Sequence, residues 1–434
     1  MKLFGTDGIR GIANEYPLTP EFCVKIGKAL ARFYKTKNSL FLLGGDSRIS
    51  TAMISSSLVA GLNSFGIDIA VADIIPSPVV AFITRKLNAD LGIVVSASHN
   101  PWNENGIKIF NRGGYKLSEL EEEKLEEEIF KDIEPKTSQI GRVFLVEMWK
   151  EMYLEHLKSH FDMDLFGKKI VIDSANGSNY IIGRLAIEIF KGNPIAINDK
   201  PNGKNINIGG SNDLDLIKDT VFREKADIGI AWDGDGDRVI LIDEKGNVID
   251  GDSIVGIIAK DMKEEEKLRN NKVAVTEYSN IGLINGLAEI GINVVVTKPG
   301  DRAVSEAMRN ENLCVGGEKS GHVVLSDYST TGDGIITGLK ILEILCKTGK
   351  KLSELNFIKE VPQVLLNKEV KEKIPINELP NALALIERIS DILGKEGRVH
   401  VRYSGTQNLV RVMIEGKQKD LIEAYAKMIL EEFK

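Results

Sequence analysis

Residues 228–238 read IGIAWDGDGDR. A five-residue apolar run breaks into a loop of glycine and aspartate. Two other stretches share that plan: GIVVSASHNP from Gly92 and LCVGGEKSGH from Leu313. Each is preceded by an apolar strand that enters a small polar turn and a helix start. These openings are FLLGGDSRIS near Phe41, IVIDSANGSN near Ile170 and VAVTEYSNIG near Val273. The pattern predicts three related α/β units, each delivering one loop from the C-terminal end of a strand, where ligands of parallel sheets bind.

Strand candidates at 40–44, 67–72, 91–95, 169–173, 227–231, 273–276, 294–297 and 313–315 alternate with amphipathic stretches, the βαβ pattern of a largely parallel sheet. Residues 119–134 and 260–272 carry the mixed charges of exposed helices. The texture changes after Pro362. A polar stretch at 368–373 precedes a helix at 382–394. Strands at 399–403 and 410–415 then flank a turn at 404–408, and a last helix covers 421–433. This tail reads as a smaller α+β domain with an antiparallel hairpin.

The chain has 434 residues, with 56 Lys plus Arg against 63 Asp plus Glu, a formal net charge of −7. Its length allows two to four domains at roughly 100–200 residues each. An acidic balance argues against nucleic acid as partner. No apolar run reaches the roughly 18 residues of a membrane span, and the opening MKLFGTDGIRG lacks the apolar core of a signal peptide. The three cysteines, Cys23, Cys314 and Cys346, are too scattered for a disulfide framework or a zinc site. A cytoplasmic protein with no membrane role is the expectation.

Asp233, Asp235 and Asp237 alternate with glycines, so three carboxylates can converge on one hard cation. The apolar run before them makes burial without a counter-ion costly. An EF-hand is excluded, because Arg238 occupies the glycine position and residues 239–242 are strand-like. A few protein ligands with room for water or phosphate oxygens suit Mg²⁺. The segment Ser96–Pro101 gathers hydroxyls, His99 and an amide after a strand. Alone, it fits either a catalytic loop or a polar turn. It lacks the Gly-x-Ser-x-Gly elbow of a serine hydrolase at Ser98. Lys108 lies near enough in sequence to turn back on the same loop. Glu318, Ser320 and His322 alternate and suit either sugar hydroxyls or a capped turn. The segment 402–411 offers Arg402, Ser404, Gly405, Thr406 and Arg411, either as phosphate donors or as an ordinary hairpin. The opening segment adds Arg10 in a glycine-rich setting. No Walker A motif is present.

Taken together, these segments resemble the α-D-phosphohexomutase superfamily over the whole chain and in the family's order: FGTDGIRG, SASHNP, DGDGDR, GEKSGH and RYSGTQNLVR. Within it the chain is most similar to the bacterial phosphoglucosamine mutases, through KLFGTDGIRG, PNGKNINIGGS at 201–211, PGDR at 299–302, Ser320 and RVMIEG at 411–416. It departs from that branch at Lys319, usually Gln, at Gly209, often Cys, and at Gln407–Asn408, commonly Glu-Pro or Glu-Asn.

The resemblance implies three related α/β domains and a smaller C-terminal α+β domain around a central cleft. Boundaries are expected at 1–148, 149–250, 251–364 and 365–434. It implies an isomerase that interconverts glucosamine 6-phosphate and glucosamine 1-phosphate, with a phosphomannomutase/phosphoglucomutase as runner-up. A metal-dependent sugar phosphatase and a non-catalytic sugar-phosphate binding protein are the readings from other classes. Phosphorylation of Ser98, Mg²⁺ on Ser98, Asp233, Asp235 and Asp237, and a sugar 1,6-bisphosphate intermediate follow from the resemblance. So do catalytic roles for Lys108, Arg10, His322 and His99. Glu318, Ser320, Arg402, Ser404, Gly405, Thr406, Arg411 and Arg238 are the expected substrate ligands. The expected partners are small sugar phosphates, with a homodimer left open.

Overall fold

The computed structural model describes residues 3–5, 7–36, 39–131, 134–135, 139–404 and 408–433. The chain forms two compact units. One comprises Met1–Glu277 with Val295–Asn356, and the other Tyr278–Val294 with Phe357–Lys434.

The first sheet is built from β1 (Ile9–Ile12), β2 (Leu40–Gly45), β3 (Asp68–Ile74), β4 (Leu91–Val95), β5 (Glu104–Asn111) and β6 (Val143–Leu145), in the order β1-β5-β4-β2-β3-β6. The second holds β7 (Ile170–Asp173), β8 (Ile195–Ile197), β9 (Ile228–Trp232), β10 (Val239–Asp243) and β11 (Val248–Ile249), in the order β11-β10-β9-β7-β8. The third holds β12 (Lys272–Thr276), β13 (Asn293–Thr297), β14 (Val315–Gly317) and β15 (Val323–Leu325), in the order β13-β12-β14-β15.

The expected repeat is present in the pairing itself. In each sheet the opening strand lies parallel to the loop-bearing strand: β2 beside β4, β7 beside β9, β12 beside β14. The strand after each loop returns antiparallel: β5 on β4, β10 on β9, β15 on β14. The sheets are therefore mixed, not largely parallel as the sequence suggested. A loop of a few residues after an apolar strand permits a hairpin as readily as a crossover, and apolar runs carry no direction.

Loop-bearing strands β4 and β9 are buried along their whole length, as central strands covered on both faces must be. Around the first sheet, Ile26, Leu30, Phe41, Leu43, Leu58, Ile93 and Ile107 form one core. Each such side chain contributes about 1.5–3 kcal/mol on burial. The helix Glu119–Ile129 starts at a capping box between Ser118 and Glu121.

Several boundaries differ from expectation by a residue or two, and two stretches differ in kind. The strand placed at 313–315 is Val315–Gly317, because Gly316 and Gly317 carry the ladder to β12 without side chains to mark them. The stretch 260–272 is no helix of its own. It contains the end of helix Gly251–Glu264, a 3-10 turn at Arg269–Asn271 and the first residue of β12. The stretch 368–373 is polar as expected, and its first two residues close a strand, β16 (Gln363–Glu369), that the sequence did not announce.

In the second unit, β16, β17 (Arg398–Tyr403) and β18 (Leu409–Glu415) form an antiparallel sheet in the order β16-β18-β17. Val410, Val412 and Ile414 pack on Ile422, Ala426 and Ile429 of the last helix, Lys419–Glu431. The expected hairpin is formed by β17 and β18, and Gly405 and Thr406 lie outside the described residues. Among the described residues, no helix is long and apolar enough to cross a membrane.

Candidate active site

Ser98 follows β4 and is 1% exposed. Its φ of 52° lies in the left-handed region, an uncommon place for serine. The surroundings hold it there. Its N–H donates to Ser96 Oγ at 2.9 Å, and Ser96 Oγ donates to Asp46. Its carbonyl accepts from Arg48 Nη2 at 3.1 Å and Asn207 Nδ2 at 2.8 Å. The hydroxyl is thereby aimed at the second module's loop, where Oγ donates to Asp233 Oδ2 at 2.6 Å. An over-determined residue in a sparse backbone region is common at functional sites.

Asp233, Asp235 and Asp237 are buried, and one oxygen from each lies within 4.8 Å of the others. Gly236 sits at φ 77° in the tight turn between them, and a Cβ at Gly234 would stand 2.8 Å from Ser98 O. Burial, then the charges of Asp237 and Asp235, push Asp233 well above the usual carboxylate range. Asp237 is held well below it, because Lys108, His322 and Arg238 outweigh burial. Asp235 Oδ1 and Asp237 Oδ1 are buried without a hydrogen-bond partner. Three crowded carboxylates, two of them with a buried oxygen that accepts no hydrogen bond, fit a small divalent cation.

Lys108 sits on β5 opposite Val94 of β4, so the hairpin brings it back to the loop. Its Nζ lies 2.8 Å from Asp235 Oδ2, 2.9 Å from Asp7 Oδ2 and 3.5 Å from Asp237 Oδ2. Burial alone would lower its pKa, but Asp235, Asp7 and Asp237 prevail and hold it well above the usual lysine value. Asp7 also pairs with Arg10 and Lys116. Arg10 Nη1 donates to Ala97 O at 3.1 Å and Asn100 Oδ1 at 3.3 Å, which pins the Ser98 loop from the other side.

His322 lies between two carboxylates, with Nδ1 3.7 Å from Asp237 Oδ2 and Nε2 3.9 Å from Asp301 Oδ2. The Gly332 N–H donates to Nε2 at 3.1 Å, so Nε2 is an acceptor and the ring proton sits on Nδ1, toward Asp237. That contact favours the neutral ring even though Asp237 and Asp301 outweigh burial and raise its pKa. Burial, with Arg238 and Arg10, depresses His99 to about 4, and its Nδ1 has no partner. Arg238 is held near the acidic loop, with Nε 3.9 Å from Asp237 Oδ1. Glu318 Oε1 accepts from Gly300 N–H at 3.1 Å, and Ser320 is exposed. The first unit thus gathers Ser98, the three aspartates, Lys108, Arg10, Arg238 and His322 into one charged cluster.

In the second unit, Arg402 and Arg411 face each other across the β17–β18 ladder. Directly opposed like charges are unfavourable without an anion. Arg402 Nε donates to Tyr278 Oη at 2.5 Å, and Arg411 Nε is buried without a hydrogen-bond partner. Ser404 is buried, and Lys373 Nζ donates to its carbonyl at 2.8 Å.

Sequence reasoning assigned no role to Arg48, Asn207, Asp7 or Asp301, although each lies in a segment singled out above. It gave no signal for Ser77, whose hydroxyl donates to Asp235 Oδ2, or for Lys116.

Residues 1–136, 151–246 and 250–361 match phosphoglucomutase/phosphomannomutase alpha/beta/alpha domains I, II and III, and residues 365–432 match the C-terminal domain of the same family. A phosphoglucosamine mutase of Syntrophus aciditrophicus is 42% identical over 438 residues, covering 99% of this chain and 98% of the relative. A phosphoglucomutase/phosphomannomutase family protein from Burkholderia thailandensis has a similar fold, with a TM-score of 0.83 at 21% identity, over 99% of this chain and 96% of that one. So does an Aspergillus fumigatus N-acetylphosphoglucosamine mutase solved with GlcNAc-6P and magnesium, with a TM-score of 0.66 at 19% identity over 99% and 95%. With four family domains in sequence and a full-length relative at this identity, the chain belongs to the phosphoglucomutase/phosphomannomutase family, among the α-D-phosphohexomutases most like bacterial phosphoglucosamine mutases, and is an isomerase of that mutase class.

Proposed function

We propose that this chain interconverts glucosamine 6-phosphate and glucosamine 1-phosphate through phosphorylated Ser98 and glucosamine 1,6-bisphosphate. The observation that carries the reading is the Ser98 hydroxyl aimed at Asp233 at 2.6 Å, inside a buried cluster of alternating charge. The similarity to full-length phosphoglucosamine mutases supports the choice of sugar.

In the first half-reaction the phosphorus–Ser98 Oγ bond breaks and a bond to the free sugar hydroxyl forms. The hydroxyl proton must end on Ser98 Oγ. Lys108, held protonated by three carboxylates, relays it: it gives its proton to Oγ and receives the hydroxyl's. Arg10 keeps the loop in place through Ala97 O and Asn100. His322 orients Asp237, and His99 shapes the loop as a neutral ring. Asp233, Asp235 and Asp237, with a phosphate oxygen on Ser98, would hold Mg²⁺, which when bound neutralises charge on the transferring group. Glu318 and Ser320 grip sugar hydroxyls, with Arg238 beside the reacting phosphate. Arg402, Ser404, Gly405, Thr406 and Arg411 hold the other phosphate. One phosphate-holding site requires the bisphosphate to turn over before its second phosphoryl group returns to Ser98.

The test is turnover of glucosamine, glucose and mannose phosphates by the Mg²⁺-loaded, phosphorylated enzyme under matched conditions. The reading expects the highest kcat/KM with the glucosamine phosphates. A preference for mannose phosphates, or steady release of inorganic phosphate, overturns it.

A further inference from the structure

We propose that Lys116 is a positioning residue, tying the segment that holds Glu318 to the cluster around Ser98. This rests on the mutase reading above and adds to it a residue that touches neither the reacting hydroxyl nor the acidic loop directly.

Lys116 lies just beyond β5, with its side chain 13% exposed. A charge so far from water is costly unless well paired. Its two partners come from distant parts of the chain. Asp7 is 109 positions away and Asp301 is 185 away. Asp7 belongs to the catalytic side, since its other oxygen lies 2.9 Å from Lys108 Nζ and it also binds Arg10. Asp301 belongs to the sugar-reading side. It opens the helix Asp301–Asn310, and the preceding Gly300 N–H donates to Glu318 Oε1 at 3.1 Å.

The charges close into a ring. Asp237 faces His322, His322 faces Asp301, and Asp301 pairs with Lys116. Lys116 pairs with Asp7, Asp7 with Lys108, and Lys108 with Asp235 and Asp237. Asp237 and Asp301 meet across the neutral His322 ring, every other contact joins opposite charges, and the ring draws on all three α/β modules. Lys116 is its link between the first module and the third.

Two consequences follow from removing that cation. Asp7 loses one of three positive partners and competes harder for Lys108, which draws Lys108 away from Asp235. Asp301 loses its anchor, which frees the Gly300–Glu318 contact. The first lowers kcat, and the second raises KM for the sugar phosphate. A lysine that only stabilised the fold would shift the melting temperature and leave both constants of the folded protein alone.

The experiment compares Lys116→Met, Lys116→Arg, Asp301→Asn and the Lys116→Met/Asp301→Asn pair with wild type. It reads kcat, KM for glucosamine 6-phosphate and Tm at saturating Mg²⁺. Lys116→Met should lose about tenfold or more in kcat and gain several-fold in KM, a size typical of a misplaced catalytic group. Lys116→Arg should recover most of the kcat. Asp301→Asn should raise KM with a smaller change in kcat, because Lys116 can still serve Asp7. The double variant should be no worse than Lys116→Met, as expected for residues acting through one contact. Lys116→Met with both constants within twofold of an active wild type overturns the proposal. So does collapse of Tm in both Lys116→Met and Asp301→Asn, which would make the contact structural only. A wild type without mutase turnover instead sinks the underlying reading, and this inference with it.

Discussion

Ser98 and Asp233 lie 135 positions apart in the chain and 2.6 Å apart in space, the serine hydroxyl donating to the carboxylate. That bond joins the loop of the first α/β module to the loop of the second. It uses the carboxylate that burial and its neighbours make most proton-like of the three. A phosphoryl group on Ser98 would therefore carry its charge into the acidic loop, where only a cation makes it tolerable.

Ser98→Ala should lose about a thousandfold or more in turnover, the scale seen when a covalent nucleophile is removed. Its melting temperature should move little, because the loop is held by backbone contacts from Arg48, Asn207 and Ser96. Steady-state kinetics beside a thermal melt checks both halves.

Mg²⁺ should raise the melting temperature of the wild type, since it binds only the folded acidic loop. Chelation should remove both the activity and that increment. Asp235→Asn should show a smaller increment and a lower bound-metal content by elemental analysis. An unchanged Mg²⁺ content in Asp235→Asn would count against the assigned site.

The Gly332–His322 hydrogen bond makes the imidazole a neutral donor toward Asp237. His322→Asn keeps a short N–H donor, and His322→Ala does not. The asparagine variant should keep several times more kcat than the alanine variant, the order expected if His322 orients Asp237. Equal losses in the two variants would assign His322 a different role.

Arg402 and Arg411 oppose each other across the β17–β18 ladder, a repulsion that a bound anion would relieve. Arg411→Ala should leave the melting temperature unchanged or slightly higher, while KM for the sugar phosphate rises about tenfold or more. Inorganic phosphate should stabilise wild type more than the variant in the same melt.

A Cβ at Gly234 would press on Ser98 O at 2.8 Å and on Asn207 Oδ1 at 2.9 Å. Gly234→Ala should cost about 1–3 kcal/mol of stability, as overpacking does. It should also lower turnover by displacing the Ser98 backbone, which denaturant unfolding and kinetics together measure.

Two of the three loop-bearing strands were legible because β4 and β9 are unbroken apolar runs, and such runs announce a buried central strand. Strand direction was not legible, since nothing in Val239–Asp243 distinguishes a returning hairpin strand from a crossover strand. Gly316 and Gly317 hid most of β14, because a ladder needs backbone and not side chains. At the site, chemistry-bearing residues in short motifs stood out, whereas their supports did not. Asn207 reaches Ser98 from 109 positions away and Lys116 reaches Asp301 from 185, and pairings over such separations leave no local pattern. Arg48 and Asp7 lay in quoted segments, but only the folded loop shows what they hold.

The most direct measurement of the central claim is peptide mass mapping of Ser98, before and after phosphorylated, Mg²⁺-loaded enzyme meets excess glucosamine 6-phosphate in a single turnover. The account predicts that phosphate occupies Ser98 at the start. It should then leave that peptide as glucosamine 1,6-bisphosphate forms, and return as glucosamine 1-phosphate accumulates. Phosphate that stays on Ser98 while glucosamine 1-phosphate accumulates, or that leaves as inorganic phosphate, would contradict it.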